Sequence, residues 1–201
     1  VSARARRRGS ELEHAVFEAT LAELAEHGMA GLTFDRIAAR AGAGKASLYR
    51  RWTSPEQLVM AALTRAEDQA RRSEHPSGTR LDAVGNLRSE LITFLGDLAT
   101  GLTTPLGRAL TPLLLERDRR PELWNQITVL LVNPRQRLVS EALTRAAADG
   151  QIDASAVTPA RISAGPAIVL ASHLTTGPVT SAEVTDIVDE VILPALGWIS
   201  R

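Results

Sequence analysis

Apolar residues recur along most of this chain at intervals of three and four. No stretch sustains the strict alternation of a half-buried strand, so the pattern predicts an all-helical protein. From Leu12 onward, Ala15, Val16, Ala19, Ala22 and Ala25 fall at helical spacing. Ser10 and Glu13 stand ahead of them in the relation of a capping box, and Gly28 is a stop signal. Thr33 caps a short segment carrying Phe34, Ile37, Ala38 and Ala41, which Gly42 ends; a second short helix is expected over 44–52. Ser54, Pro55, Glu56 and Gln57 open a longer helix that should reach Arg72, with Ser54 as cap, Pro55 in the first turn and Gln57 closing the box. Residues 73–80, with Pro76, Ser77 and Gly78, form the clearest loop, followed by a helix over 81–102. Pro105 and Pro121 sit at helix starts. Pro134 should kink or split the run over 121–148, and Pro159 and Ser181 open the last two helices.

With 201 residues the chain can bury a substantial core as one domain or two. It has no cysteine, which removes disulfides, thiolate-bound metals, iron-sulfur clusters and thiol nucleophiles. No apolar run approaches the roughly 18 to 20 residues that span a bilayer, so no membrane association and a cytoplasmic location are expected. The formal net charge is zero, but its distribution is uneven. Residues 1–53 carry nine Arg or Lys against six Asp or Glu, while 54–201 carry fourteen against seventeen. The front end is therefore basic.

Residues 33–52 carry the most information. Two short helices joined by a glycine-containing turn can cross steeply only where small residues line the crossing, and Ala38, Ala39, Ala41 and Gly42 supply them. Ile37, Leu48 and Trp52 are the apolar pins. The second helix then presents Lys45, Ser47, Tyr49, Arg50 and Arg51, a set suited to phosphate oxygens and base edges, and it has no acidic residue. Arg4, Arg6, Arg7 and Arg8 form a basic arm, read either as a DNA-contacting extension or as a solubilising terminus.

In these residues the chain resembles the TetR family of bacterial regulators: Thr33 through Ile37 and Ala38, Ala41 and Gly42 at the turn, Lys45 through Leu48, Tyr49 and Arg50, then Trp52 and Ser54 through Leu58. The likeness is specific over about residues 12–63. Gly44 stands where a capping Ser is commoner, and Trp52 where Phe is more usual. The resemblance implies a three-helix helix-turn-helix domain over 1–53 and a roughly six-helix effector-binding and dimerisation domain over 54–201. It implies that Thr33, Lys45, Ser47, Tyr49 and Arg51 touch DNA, mostly phosphates, with Ala46, Ser47 and Arg50 nearest the bases; Gly44 belongs to the same DNA-binding stretch but forgoes the phosphate contact a Ser could make there. It further implies a homodimeric repressor on an inverted-repeat operator, released by a small-molecule effector.

The last helix carries Val184, Ile187, Val188, Val191 and Ile192, more apolar residues than one narrow covered face needs, and these together with Ile168 are the expected dimer interface. Candidate pocket residues are Phe94, Leu98, Leu102, Leu114, Trp124, Ile127, Thr128 and Leu131, each of which also suits ordinary core packing. The scarcity of charge among them points to a mainly apolar effector. His173, in an otherwise apolar helix, is either a satisfied core or interface histidine or a ligand contact.

Other chemistries fit less well. The dipeptide Gly44 and Lys45 suggests a phosphate loop, but Ala39 replaces its first glycine, Ala46 replaces its Ser or Thr, and no buried strand precedes it. The four histidines lack metal-site spacing. Asp186, Asp189 and Glu190 read as a solvated stripe. No nucleophile with a base, paired carboxylates or cofactor fingerprint supports an enzyme, so no cofactor is expected. An architectural DNA-binding protein shares the same front end, against which stands the size of the remainder.

Overall fold

The structure, a computed structural model, describes residues 2–73 and 86–198, with the backbone alone for 2–8 and 73. Among the described residues it is helical throughout, with no strand. Two compact units divide the chain: 1–73 with 104–130, and 74–103 with 131–201. The division does not fall at 53/54, because helices from beyond residue 103 pack with the N-terminal ones.

The first unit contains α1 (Ser2–Gly31), α2 (Phe34–Ala41), α3 (Lys45–Tyr49), α4 (Pro55–Ser73), α6 (Pro105–Leu114) and α7 (Pro121–Ile127). Helix α1 begins well before Ser10, so Ser10 and Glu13 are not its cap. The Ala and Arg residues ahead of Ser10 are good helix formers and carry the helix through it. Gly28 interrupts α1 at φ 61° and ψ −175°, a conformation essentially confined to glycine. Helix α1 packs against α2, α4 and α6. Its inner face is lined by Val16, Ala19, Leu24 and the buried Thr20, whose hydroxyl donates to the Val16 carbonyl at 2.7 Å. Burying one such leucine contributes about 1.5–3 kcal/mol, so this face holds the unit together. At the start of α4, Ser54 Oγ accepts from the Gln57 N–H, while Gln57 Oε1 accepts from the N–H of Thr53. The expected box closes one residue earlier than its standard form.

The second unit contains α5 (Leu87–Thr103), α8 (Asn133–Ala148), a short 3-10 turn (Ala154–Ala156), α9 (Pro159–Thr175), α10 (Ser181–Asp186) and α11 (Leu193–Leu196). The start expected at 81 and the loop over 73–80 lie outside the described residues, apart from the backbone of Ser73. Ser181 opens α10 as expected, and Thr180 ahead of it caps the helix in a complete box with Glu183.

Two π-helical turns interrupt what the periodicity reads as continuous helices: Thr128–Val132 between α7 and α8, and Ile187–Ile192 between α10 and α11. In both, a proline follows two residues later, Pro134 and Pro194. Proline donates no N–H and crowds the carbonyl four residues back, and the wider turn relieves this. Near Pro134, where a kink or split is expected, the chain stays helical and passes through a π turn instead; the like turn ahead of Pro194 has no counterpart in the sequence reading.

The core of the second unit joins Leu87, Leu91, Phe94 and Leu95 of α5 to Val139 and Leu143 of α8, Val169 of α9, and Val184, Val188 and Ile192. Gly165 lets α9 approach α5: a Cβ there would lie 3.1 Å from Leu95 Cδ1. Arg88 clamps Asp189 through two hydrogen bonds of 2.7 Å, and Arg145 reaches Glu90 at 3.0 Å. Asp189 is therefore a structural tie between α5 and the closing segment, not merely part of a solvated stripe.

Candidate nucleic-acid interface

Helices α2 and α3 are held at their crossing by local chemistry at each end. Thr33 is extended and its Oγ1 accepts from the Arg36 N–H at 3.3 Å, satisfying one orphan donor of α2. At the other end Gly42 is left-handed, at φ 61° and ψ 29°. Its N–H donates to the Ala39 carbonyl and that of Ala43 donates to the Ala38 carbonyl, the two bonds of a Schellman stop. Gly44 begins α3 with no side-chain cap, and its carbonyl accepts from the Ser47 N–H at 2.8 Å. The helix is shorter than the expected 44–52, closing in a turn at Arg50 and Arg51.

Ile37, Leu48 and Trp52 are all buried, as the pattern required. Trp52 meets Phe17 of α1 edge to face at 5.8 Å, and Tyr49 meets the buried Phe34 at 4.8 Å. Tyr49 is nevertheless 62% exposed, so the contact with Phe34 leaves most of its side chain at the surface.

The outward face gathers Thr33, Gly44, Lys45, Ala46, Tyr49, Arg50 and Arg51 as exposed residues, with Ser47 half-buried. The side chains of Arg4, Arg6, Arg7 and Arg8 lie outside the described residues. Two of the cations have carboxylate neighbours that the sequence did not announce. Lys45 Nζ is 2.7 Å from Asp35 of α2, and Arg51 is 3.7 Å from Glu13 of α1.

Sequence reasoning also missed the device that holds α2 against α1. Glu23 is buried, and its carboxylate accepts from Arg36 Nε and Arg40 Nε, both at 2.7 Å. Arg40 also grips Glu26 with both terminal nitrogens. The hydrogen-bonded Arg36 guanidinium, with Arg40 beside it, holds the Glu23 carboxyl below the usual carboxylate range despite its burial. The available signal was Arg36 and Arg40 one turn apart on α2, opposite a carboxylate on the apolar stripe of α1. Glu23, Glu26 and His27 lie close enough together to suggest a cation site. Two guanidiniums already occupy the carboxylates there, and their charge opposes a metal ion.

The other predicted sites fare differently. Val184, Val188 and Ile192, expected at a dimer interface, are buried in the core of their own unit. A stripe at helical spacing satisfies either role, and here the protomer takes it. Ile168 and Ile187 are half-buried and Val191 is 46% exposed, which leaves these three with surface to offer. The pocket candidates are divided between the units. Phe94 lines a cleft in the second unit with Leu91, Leu95, Arg161, Ile162 and Pro166, whose enclosed space is only about 10 Å³. Trp124 and Ile127 line a second cleft, in the first unit, beside Glu116 and Arg120. Leu98, Leu102, Leu114, Thr128, Leu131 and His173 line neither, and Leu102 and Leu131 are buried. His173 Nδ1 is buried with no hydrogen-bond partner among the described residues.

Residues 16–62 match the family model described as bacterial regulatory proteins, tetR family, and residues 81–191 match the tetracyclin repressor-like C-terminal domain. The chain belongs to the TetR family of bacterial regulatory proteins. An uncharacterized HTH-type transcriptional regulator of Mycobacterium tuberculosis is 33% identical to it over 188 residues, 93% of this chain and 89% of the relative. AqdR, an HTH-type transcriptional regulator of Rhodococcus erythropolis, is 30% identical over 76% of this chain and 69% of its own. In fold, this TetR-family regulator is similar to a TetR-family protein of Mesorhizobium loti, at TM-score 0.72 and 18% identity over 94% of this chain and 97% of the other. It is also similar to FadR of Bacillus subtilis, solved in complex with stearoyl-CoA, at TM-score 0.69 and 15% identity over 92% and 98%. The regulator is all-helical, and no helix among its described residues is long and apolar enough to cross a membrane.

Proposed function

We propose that this transcriptional regulator is a homodimeric repressor that binds an inverted-repeat operator through α3 and leaves it when a small molecule binds. The observation that carries the reading is the outward face of α3 and of the turn that closes it. Lys45, Tyr49, Arg50 and Arg51 are exposed, the helix has no carboxylate, and buried Ile37, Leu48 and Trp52 fix its crossing with α2. Such a helix suits a major groove, with Thr33, Lys45, Ser47, Tyr49 and Arg51 toward phosphates, Ala46, Ser47 and Arg50 toward base edges, and Gly44 at the N-terminal end of the same face. Arg4, Arg6, Arg7 and Arg8 add sequence-independent affinity.

In this reading residues 1–53 contact DNA and 54–201 serve effector binding and dimerisation. Val191, Ile187 and Ile168, with the half-exposed Leu174, form the subunit contact. The effector is mainly apolar, because Leu91, Phe94, Leu95, Ile162 and Pro166 dominate the cleft of the second unit. That cleft holds little free space, so the ligand selects a conformation in which it is wider and shifts the population away from the DNA-binding one. FadR's complex with stearoyl-CoA is a precedent within the fold for an effector with a long apolar chain.

The test is an electrophoretic mobility shift with DNA upstream of the regulator's own coding sequence, repeated with a panel of neutral apolar compounds and their charged analogues. A shifted band relieved by apolar members is the expected result. No binding to that DNA, together with no sequence enriched by selection from a randomised duplex library, would sink the reading.

A further inference from the structure

We infer that Asp35 is a built-in counter-ion that restrains the regulator's sequence-independent attraction to DNA, with Glu13 adding a weaker contribution. The inference rests on the reading above that α3 faces the duplex. Lys45 is the only lysine in the chain, and its Nζ lies 2.7 Å from Asp35 Oδ2, with both side chains more than half exposed. Arg51 stands 3.7 Å from Glu13, each 44% exposed. Two cations on the DNA-facing surface are thus compensated by carboxylates from neighbouring helices. Arg50, between them, has no ion pair among the described residues.

Fold stability gives little reason for the Asp35 pair. Asp35 does not cap α2, because Thr33 does, and an exposed ion pair stabilises a protein only slightly. Toward DNA the pair has a larger consequence. A cation strengthens phosphate binding by displacing condensed counter-ions from the duplex. A lysine already neutralised displaces fewer, and bringing it to a phosphate brings its carboxylate into repulsion with the same polyanion. The expected effect is weaker binding to arbitrary DNA. Asp35 also favours the positive end of the α2 dipole, a role that touches stability but not the salt dependence of binding.

The experiment measures fluorescence anisotropy of a labelled duplex of about 30 base pairs and arbitrary sequence, titrated with the full chain from about 25 to 200 mM salt. Asp35→Asn should bind about 3- to 10-fold tighter than wild type near 50 mM and steepen the log–log salt slope by about 0.9, one phosphate contact. Asp35→Glu should match wild type. Adding Lys45→Ala to Asp35→Asn should return the slope to the wild-type value, and Glu13→Gln should shift binding in the same direction by less. An Asp35→Asn variant with wild-type slope and affinity overturns the inference, as does a double variant that keeps the full gain. A wild type that fails to bind any duplex at the lowest salt overturns the recognition surface itself, and this inference with it.

Discussion

Arg40 Nε donates to Glu23 Oε1 at 2.7 Å, joining the last turn of α2 to a carboxylate that is almost fully buried on α1. The bond ties the first helix to the one that supports α3, so the integrity of the helix-turn-helix depends on a charge outside the motif. Glu23→Ala should destabilise the first unit by roughly 1–3 kcal/mol, the cost of hydrogen bonds lost to charged partners. Denaturant titration monitored by circular dichroism checks this, and an unchanged midpoint would show that the guanidiniums find solvent at no cost.

The same carboxylate predicts a pH dependence. Its pKa is depressed in the folded chain, so its contribution is present above the ordinary carboxylate value of 4.5 and is lost as pH falls through the lower folded value. Stability should show no Glu23 contribution to its slope from pH 7 to about 5.5 and should fall below about pH 4.5. Glu23→Gln should flatten that acid limb. If the variant and wild type lose stability in parallel, the pair does not supply the dependence.

Gly28 holds φ 61° and ψ −175° where α1 is interrupted, and Pro112 of α6 lies 3.8 Å from where its Cβ would be. The space would accept a methyl group; the backbone conformation would not. Gly28→Ala should cost about 1–3 kcal/mol, read as a lower thermal midpoint. A neutral result would mean that the interruption relaxes into regular helix.

On the DNA-facing surface, the pairs of Lys45 and Arg51 reorder the expected importance of the cations. Arg50→Ala should reduce the salt slope for duplex binding by about one, and Lys45→Ala by clearly less, since Asp35 already compensates that lysine. Tyr49→Phe should weaken binding to all sequences modestly. Equal slope changes for the two cations would count against the difference.

The closing segment separates core from interface by substitution. Val188 is fully buried and Val191 is 46% exposed. Val188→Glu should unfold the second unit, because an unpaired buried carboxylate costs several kcal/mol. Val191→Glu should keep full helicity and yield monomers in sedimentation velocity. A folded Val188→Glu monomer would restore the expectation that Val188 faces a partner.

Most helices, and those of their ends that rest on local caps and stops, are legible in the sequence, whereas the start of α1 and the end of α3 are not. Thr33, Gly42, Pro55 and Pro134 act on backbone groups within four residues of themselves, and each does so in the structure. The buried pins Ile37, Leu48 and Trp52 followed from spacing alone, as did the exposed polar set on α3. Tertiary structure decided which surfaces those elements cover. An apolar stripe such as Val184, Val188 and Ile192 carries no mark distinguishing its own core from a partner, and only the packing of α5 and α9 against it assigns the stripe to the core. Charges behave likewise: Glu23 with Arg40, Lys45 with Asp35 and Arg88 with Asp189 lie 17, 10 and 101 residues apart. Their meeting depends on how helices are juxtaposed, which no local periodicity encodes.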